Sequence, residues 1–232
     1  MFGKNPIRPQ VLDSGLTLWV QKVFYTLQGE GPFSGQPAVF IRLAGCNLRC
    51  FWCDTDFESS SWAPTLDELM MQVQATAPEV CNLAVITGGE PFRQNIAPLV
   101  QRLLQKNMRV QIETNGTLWV DLPEDPRLFI VCSPKTSSLH PDILPRITAF
   151  KYVIDSGGCA EEDGLPNLST QRQGKSTRLA RPPAGGQPDV YVMPLDECNR
   201  QRNTANMQYC VDIAKRFGYK LTLQTHKLLD IE

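Results

Sequence analysis

Long apolar runs are missing from this sequence. No stretch approaches the roughly 18 residues of a membrane span, and the N-terminal MFGKNPIRPQ lacks the hydrophobic segment of a secretion signal. A cytoplasmic protein with no membrane partner is therefore expected. A dominant charge is missing too: 23 Lys and Arg face 24 Asp and Glu, giving a formal net charge of -1. The basic residues are scattered rather than gathered into a stripe, which argues against a nucleic-acid partner. Histidine is scarce, with only His140 and His226, so a zinc site would be short of imidazoles. A paired-cysteine framework is also absent. Five of the eight cysteines (Cys81, Cys132, Cys159, Cys198 and Cys210) stand alone and read as small buried apolar side chains in a reducing compartment. The other three, Cys46, Cys50 and Cys53, lie within one short loop and read as a metal site.

What is present suits a single catalytic domain spanning 1–232, because 232 residues at 42% hydrophobic content can bury one substantial core. Short β-branched or apolar runs predict strands over 16–24, 38–43, 83–87, 109–113, 128–132, 150–154, 190–193 and 220–224. Helical spacing is clearest over 65–77, where Thr65 and Glu68 stand at capping-box distance. A second helix carries Ile96, Leu99, Val100, Leu103 and Leu104. A third carries Met207, Cys210, Val211, Ala214 and Phe217, with Gly218 where a C-terminal cap belongs. Strands alternating with helices imply an α/β protein whose parallel sheet curls into a full or partial barrel, the crossover helices covering its outer face.

Function then belongs at the C-terminal ends of the strands. The segments following the predicted strands fit that place: TLQGEG, GCNLRCFWCDT, GGEP, TNG, SPK, PLDE and THK. Residues 156–189 break the pattern, being rich in Gly, Pro, Ser, Gln and Arg without apolar periodicity. They read as a long irregular, flexible insertion, and Arg172, Lys175, Arg178 and Arg181 as solvated charges rather than an anion site.

Cys46-x3-Cys50-x2-Cys53 offers three thiolates on one loop, the ligands that iron-sulfur clusters take. Three protein ligands on a [4Fe-4S] cluster leave one iron open, and an open iron is reactive. A zinc knuckle would need a fourth Cys or His, and an electron carrier would normally use four cysteines. The loop, with an aromatic residue before its last cysteine, resembles the radical S-adenosylmethionine (SAM) superfamily, and Gly88-Gly89-Glu90-Pro91 looks like its glycine-rich motif. The resemblance implies that SAM chelates the open iron and is cleaved reductively to methionine and a 5'-deoxyadenosyl radical. It also implies SAM contacts from Trp52, Gly89, Glu90, Glu113, Ser133, Pro134 and Lys135.

Further segments, Leu27-Gln28-Gly29-Glu30-Gly31, Cys53-Asp54-Thr55 and Gln224-Thr225-His226-Lys227, resemble the 7-carboxy-7-deazaguanine synthase family across nearly the whole chain except 156–189. The implied reaction contracts 6-carboxy-5,6,7,8-tetrahydropterin to 7-carboxy-7-deazaguanine with loss of ammonia, in queuosine and 7-deazapurine biosynthesis. A flat pterin has a donor-acceptor edge that a specific site must satisfy. Gln28, the backbone of Leu27 and Gly29, Glu30 and Thr87 suit that edge, Arg42 suits the substrate carboxylate, and Glu232 is a further contact. The family implies Mg2+ at Thr55, a flavodoxin- or ferredoxin-like reductant and a homodimer. His226 and Glu30 are the candidate catalytic groups, since imidazole titrates near working pH and can move a proton as ammonia leaves. A glycyl-radical activase has the same cysteine spacing and remains the alternative enzyme; an iron-sulfur electron carrier is the non-enzymatic one.

Overall fold

A computed structural model describes residues 5–53, 55–168, 170–171, 178–185 and 188–232. Eight strands form one sheet in the order of the chain: β1 (Val20–Leu27), β2 (Pro37–Leu43), β3 (Leu83–Gly88), β4 (Arg109–Thr114), β5 (Leu128–Cys132), β6 (Ile147–Ile154), β7 (Asp189–Pro194) and β8 (Lys220–Leu221). The β1–β2 pair is antiparallel, and every later neighbour is parallel. The sheet does not close, so the expected barrel is a partial one. The gap beside β8 is bridged by the loop after β1. Gly31 N donates to Thr222 Oγ1 at 2.8 Å, and Thr225 Oγ1 donates to Gly29 O at 3.0 Å.

Alternation along the strands divides the sheet into two chemistries. One face carries Ile41, Ile86, Ile112, Ile130, Phe150, Tyr152 and Val192 into the main core. The opposite, concave face carries Phe40, Arg42, Thr87, Glu113, Lys151 and Met193. Nearer the strands' N-terminal ends the concave face is apolar. Ala38, Leu83 and Val85 pack with Phe33 and Phe40, and Phe33 meets Phe129 edge-on at 4.8 Å. This plug closes one end and leaves the polar end for function.

Three helices cover the outer face: α1 (Leu66–Thr76), α2 (Ala97–Gln105) and α3 (Arg200–Phe217). The Thr65 side chain accepts from Glu68 N while Glu68 accepts from Thr65 N, so the capping box forms as its spacing predicts. Leu69, Leu99 and Leu103 are fully buried, each worth about 1.5–3 kcal/mol of transfer free energy. Asn199 caps the start of α3 and Gly218 ends it in the left-handed conformation.

The structure departs from the sequence reading in several places. The first strand starts at Val20 rather than residue 16, because Leu18 and Val20 donate their N–H groups to Pro64 O and Trp62 O on the approach to α1. The last strand stops at Leu221, and a short helix, α4 (Thr225–Leu229), follows it. Among the described residues, the crossovers after β4, β5 and β6 contain no α-helix. Irregular segments cover the sheet there, through Val120, Leu122, Ile143 and Leu165. Cys132 and Cys210 are buried as expected, whereas Cys198 is exposed in the turn before α3 and does not serve the core.

Residues 156–189 are irregular, but their described parts pack down rather than float. Leu165 and Leu179 are buried, Tyr152 OH donates to Ala180 O at 2.7 Å, and Arg178 and Arg181 both pair with Asp163 at 2.7 Å. Arg181, largely buried, replaces the expectation of a solvated charge, whereas Arg178 pairs with Asp163 but stays exposed as expected. Arg172 and Lys175 lie outside the described residues.

Thr65→Ala should cost about 1 kcal/mol of folding stability through loss of the cap. Chemical denaturation should show a lower midpoint with an unchanged slope.

Candidate active site

The polar end of the concave face opens into a cavity of about 430 Å³, a size typical of small-molecule sites. Cys46, Cys50, Cys53 and Thr55 line it, as do Trp52, Gly89, Glu113, Ser133 and Lys135. So do Leu27, Gln28, Gly29, Glu30, Arg42, Thr87, His226 and Glu232. Nearly every residue singled out in the sequence therefore meets in one chamber.

The cysteine loop follows β2 and is pinned from three directions. The N-terminal segment reaches it through Arg8 N, which donates to Cys46 O at 2.8 Å. The turn after β3 lies flat upon it, Glu90 N donating to Gly45 O at 3.0 Å. The turn after β4 joins it where Asn115 Nδ2 donates to Asn47 Oδ1 at 3.0 Å. The two glycines of GGEP make this contact possible. A Cβ on Gly88, which has φ 141°, would lie 2.1 Å from Leu43 O, and one on Gly89 would lie 2.2 Å from Gly45 O. The close approach they permit is to the end of β2 and the cysteine loop.

Glu90 and Pro134 do not line the cavity. The Glu90 carboxylate is fully buried, accepting from Thr114 Oγ1 and Asn115 N at 2.7 Å each and from Phe92 N at 3.0 Å. It clamps the turns after β3 and β4 together instead of facing a ligand. Burial pushes its carboxyl up to about 7, although all three donors favour the charged form. Burial likewise pushes the Cys46 thiol up to about 12, with Glu90 and the neighbouring cysteines adding to the effect. Among the described residues no three His, Cys, Asp or Glu side chains are gathered to hold one metal ion. A cubane asks for something else, each cysteine ligating a different iron.

The Lys135 ammonium bonds Ser133 O at 3.0 Å and the Ser133 hydroxyl, and stands 5.5 Å from the Trp52 ring centroid. Trp52 thus lies against Lys135. Burial holds Lys135 below the ordinary lysine value.

The sequence reading missed Lys151. It projects from β6 between Glu30 and Glu113, at 2.6 and 2.7 Å, with all three side chains largely buried. Burial works against the Glu30 charge, but Lys151 outweighs it and holds the carboxyl below its ordinary value. Lys151 is raised in turn, because Glu113 and Glu30 more than offset its own burial. Gln111 donates to Glu113 from below, and Gln224 Nε2 donates to Glu30 at 3.3 Å. A charged residue inside FKYVI was the available signal: alternation sends it away from the core side chains Phe150 and Tyr152.

His226 sits on α4 beside the loop after β1. A Cβ on Gly29 would come within 2.7 Å of His226 Nδ1, so only glycine lets the imidazole settle there. Glu232 folds over β1, where its backbone oxygen accepts from Thr26 Oγ1 at 2.8 Å and its side chain pairs with Lys22. Arg42 stacks over the Phe24 ring at 5.1 Å. Gln28 is buried, and its Nε2 has no hydrogen-bond partner in this cavity wall.

Comparison with known proteins agrees with this geometry. Residues 40–137 match the Radical SAM superfamily model. Over 236 aligned residues, covering 100% of both proteins, the chain is 56% identical to 7-carboxy-7-deazaguanine synthase of Rhodospirillum rubrum. The chain belongs to the 7-carboxy-7-deazaguanine synthase family. The synthase of Rickettsia prowazekii is 40% identical, over 100% of this chain and 96% of that protein. The fold is that of the crystal structure of QueE from Escherichia coli, with a TM-score of 0.65 at 23% identity, covering 90% of this chain and 94% of that one. As a radical SAM enzyme of this synthase family, the chain is expected to carry a [4Fe-4S] cluster and SAM, and its three cavity-lining cysteines fit that cluster.

Lys151→Met should destabilise the protein by about 3–5 kcal/mol at neutral pH, since it strands two buried carboxylates. The pH dependence should also invert. In the native protein the lowered Glu30 contributes stability that is full above its unfolded value of 4.5 and fades as pH falls through the folded value. In the variant, burial without a cation favours protonation, so mild acidification should stabilise it. Denaturant titrations over a pH series read both slopes.

Proposed function

We propose that this chain converts 6-carboxy-5,6,7,8-tetrahydropterin to 7-carboxy-7-deazaguanine with release of ammonia. The observation that carries the reading is the orphaned Gln28 amide, buried in the same cavity as the three cysteines. A buried donor without an acceptor costs about 1–3 kcal/mol, and the heterocycle edge of a pterin supplies one. A [4Fe-4S] cluster held by these cysteines would supply the electron for reductive cleavage of SAM.

Cys46, Cys50 and Cys53 hold the cluster. The Gly89 backbone, Ser133, Lys135 and Trp52 bind SAM; Glu113 orients its ribose while anchored by Lys151. Gln28, the backbone of Leu27 and Gly29, and Thr87 read the pterin ring, and Arg42 pairs with the substrate carboxylate. Thr55 supplies one oxygen to Mg2+, which keeps waters and few protein ligands beside an anionic substrate. Departure of ammonia requires a proton at the leaving nitrogen. His226, in the cavity wall, gives that proton, and Glu30, held ionised by Lys151, takes the proton that the ring gives up as ammonia is eliminated.

A flavodoxin- or ferredoxin-like protein delivers the electron, and the chain works as a homodimer. Exposed Val11, Leu12, Leu16 and Trp19 before β1 offer an apolar face for pairing. Among the described residues no helix is long and apolar enough to cross a membrane.

Anaerobic incubation with reductant, SAM, Mg2+ and the carboxytetrahydropterin should yield the deazaguanine. Slow accumulation of 5'-deoxyadenosine without that product would retain the radical chemistry and sink the substrate. Gln28→Leu should raise KM by about 5- to 150-fold with little change in kcat, as expected for loss of one buried hydrogen bond worth 1–3 kcal/mol. Alanine at any of the three cysteines should abolish cluster absorbance.

A further inference from the structure

The three cysteine sulfurs differ in what surrounds them. Cys46 Sγ accepts from Leu48 N at 3.4 Å, within its own loop, and Cys53 Sγ lies 3.9 Å from Thr55 O, also within the loop. Cys50 is met from outside. Thr170 Oγ1 and Gln171 Nε2 each stand 3.2 Å from its sulfur, delivered from about 120 residues downstream by the irregular segment between β6 and β7.

Backbone bonds hold both donors in register. Phe51 N donates to Thr170 O at 3.0 Å, and Arg49 N donates to Gln171 Oε1 at 3.1 Å. The second bond fixes the orientation of the Gln171 amide: with its oxygen taken by a backbone N–H, its NH2 must face the sulfur. That NH2 also donates to Thr170 Oγ1 at 2.9 Å, and Thr170 Oγ1 lies 3.3 Å from Lys135 O. Thr170 is buried, at 6% exposure, and Cys50 and Gln171 are half-buried, so these bonds are partly shielded from water. A cysteine bound to iron is a thiolate with no proton to give. In the Thr170–Cys50 pair the hydroxyl is therefore the donor, its one proton shared between that sulfur at 3.2 Å and Lys135 O at 3.3 Å, to which it also donates.

We propose that Thr170 and Gln171 form a hydrogen-bonding cap on the Cys50 sulfur that raises the reduction potential of the cluster. The inference rests on the radical SAM reading of the cysteine loop. Reduction adds negative charge to the cluster and its thiolates, and donors aimed at a ligating sulfur stabilise the more negative state. The cap also covers the Cys50 corner with protein rather than solvent, which strengthens those donors. Both are positioning residues, since they act through the cysteine and do not line the cavity.

The test is a redox titration of the anaerobically reconstituted full chain, followed by electron paramagnetic resonance, with iron and sulfide content measured alongside. Thr170→Val and Gln171→Leu should each move the midpoint to more negative potential, and the double variant further. Thr170→Ser, which keeps the hydroxyl, should stay with the parent. All should retain the parent's iron and sulfide. An unmoved midpoint at full cluster content overturns the proposal. So does loss of iron with an unchanged midpoint in the clusters that remain, which would make the segment a mere prop for the loop. A parent chain that takes up no cubane would bring down the radical SAM reading itself, and the cap with it.

Discussion

Successive side chains on a strand face opposite ways, and the site depends on that constraint being kept in register across the whole sheet. Arg42 pairs with Thr87 across β2 and β3, and Lys151 with Tyr191 across β6 and β7. A slip of one residue in β6 would send Lys151 into the core and Tyr152 into the cavity. Ala149, two residues before Lys151 and so on the same face, is buried with Val131 and Tyr191, which makes such a slip costly nearer the start of the strand. The segregation that stabilises the fold therefore also gathers charge where the cavity is.

Within the cavity, Lys151 reconciles two carboxylates that would otherwise repel and take up protons. One comes from the loop after β1 and the other from β4, so the lysine also ties two distant parts of the cavity wall together. Glu90 has a comparable part outside the wall, fastening the turns after β3 and β4 beneath the cysteine loop. Glu30, Glu113 and Glu90 all belong to motifs that read as ligand contacts, and each is also anchored by bonds to protein.

Much of this was legible in the sequence because it is local. A capping box, a three-cysteine loop and a glycine pair each announce themselves within a few residues, and all eight strands were marked by their apolar runs. The direction of the Glu90 side chain was not legible, since it follows from a turn whose path is set by Gly88 against β2. Lys151 was legible in principle from its place in an apolar strand, but its two partners sit 121 and 38 residues away. Helix α4 is too short for periodicity to reveal. Covering the outer face without helices after β4, β5 and β6 leaves no periodic pattern, and the docking of Thr170 on the cysteine loop leaves no local signal at all.

The wall beside the loop after β1 is completed by Gln224, Thr225 and His226, and the bond from Thr225 to Gly29 spans 196 residues of sequence. During synthesis the cysteine loop and its neighbouring turns can assemble early, because β1 through β4 are contiguous. The pterin side has no such head start: it stays open until residue 226 has left the ribosome. A nascent chain can thus bring its three cysteines together before Thr170 and Gln171 cap Cys50, and long before residue 226 closes the opposite wall, so that assembly of the cysteine loop and closure of the cavity are separated in time by the order of the chain itself.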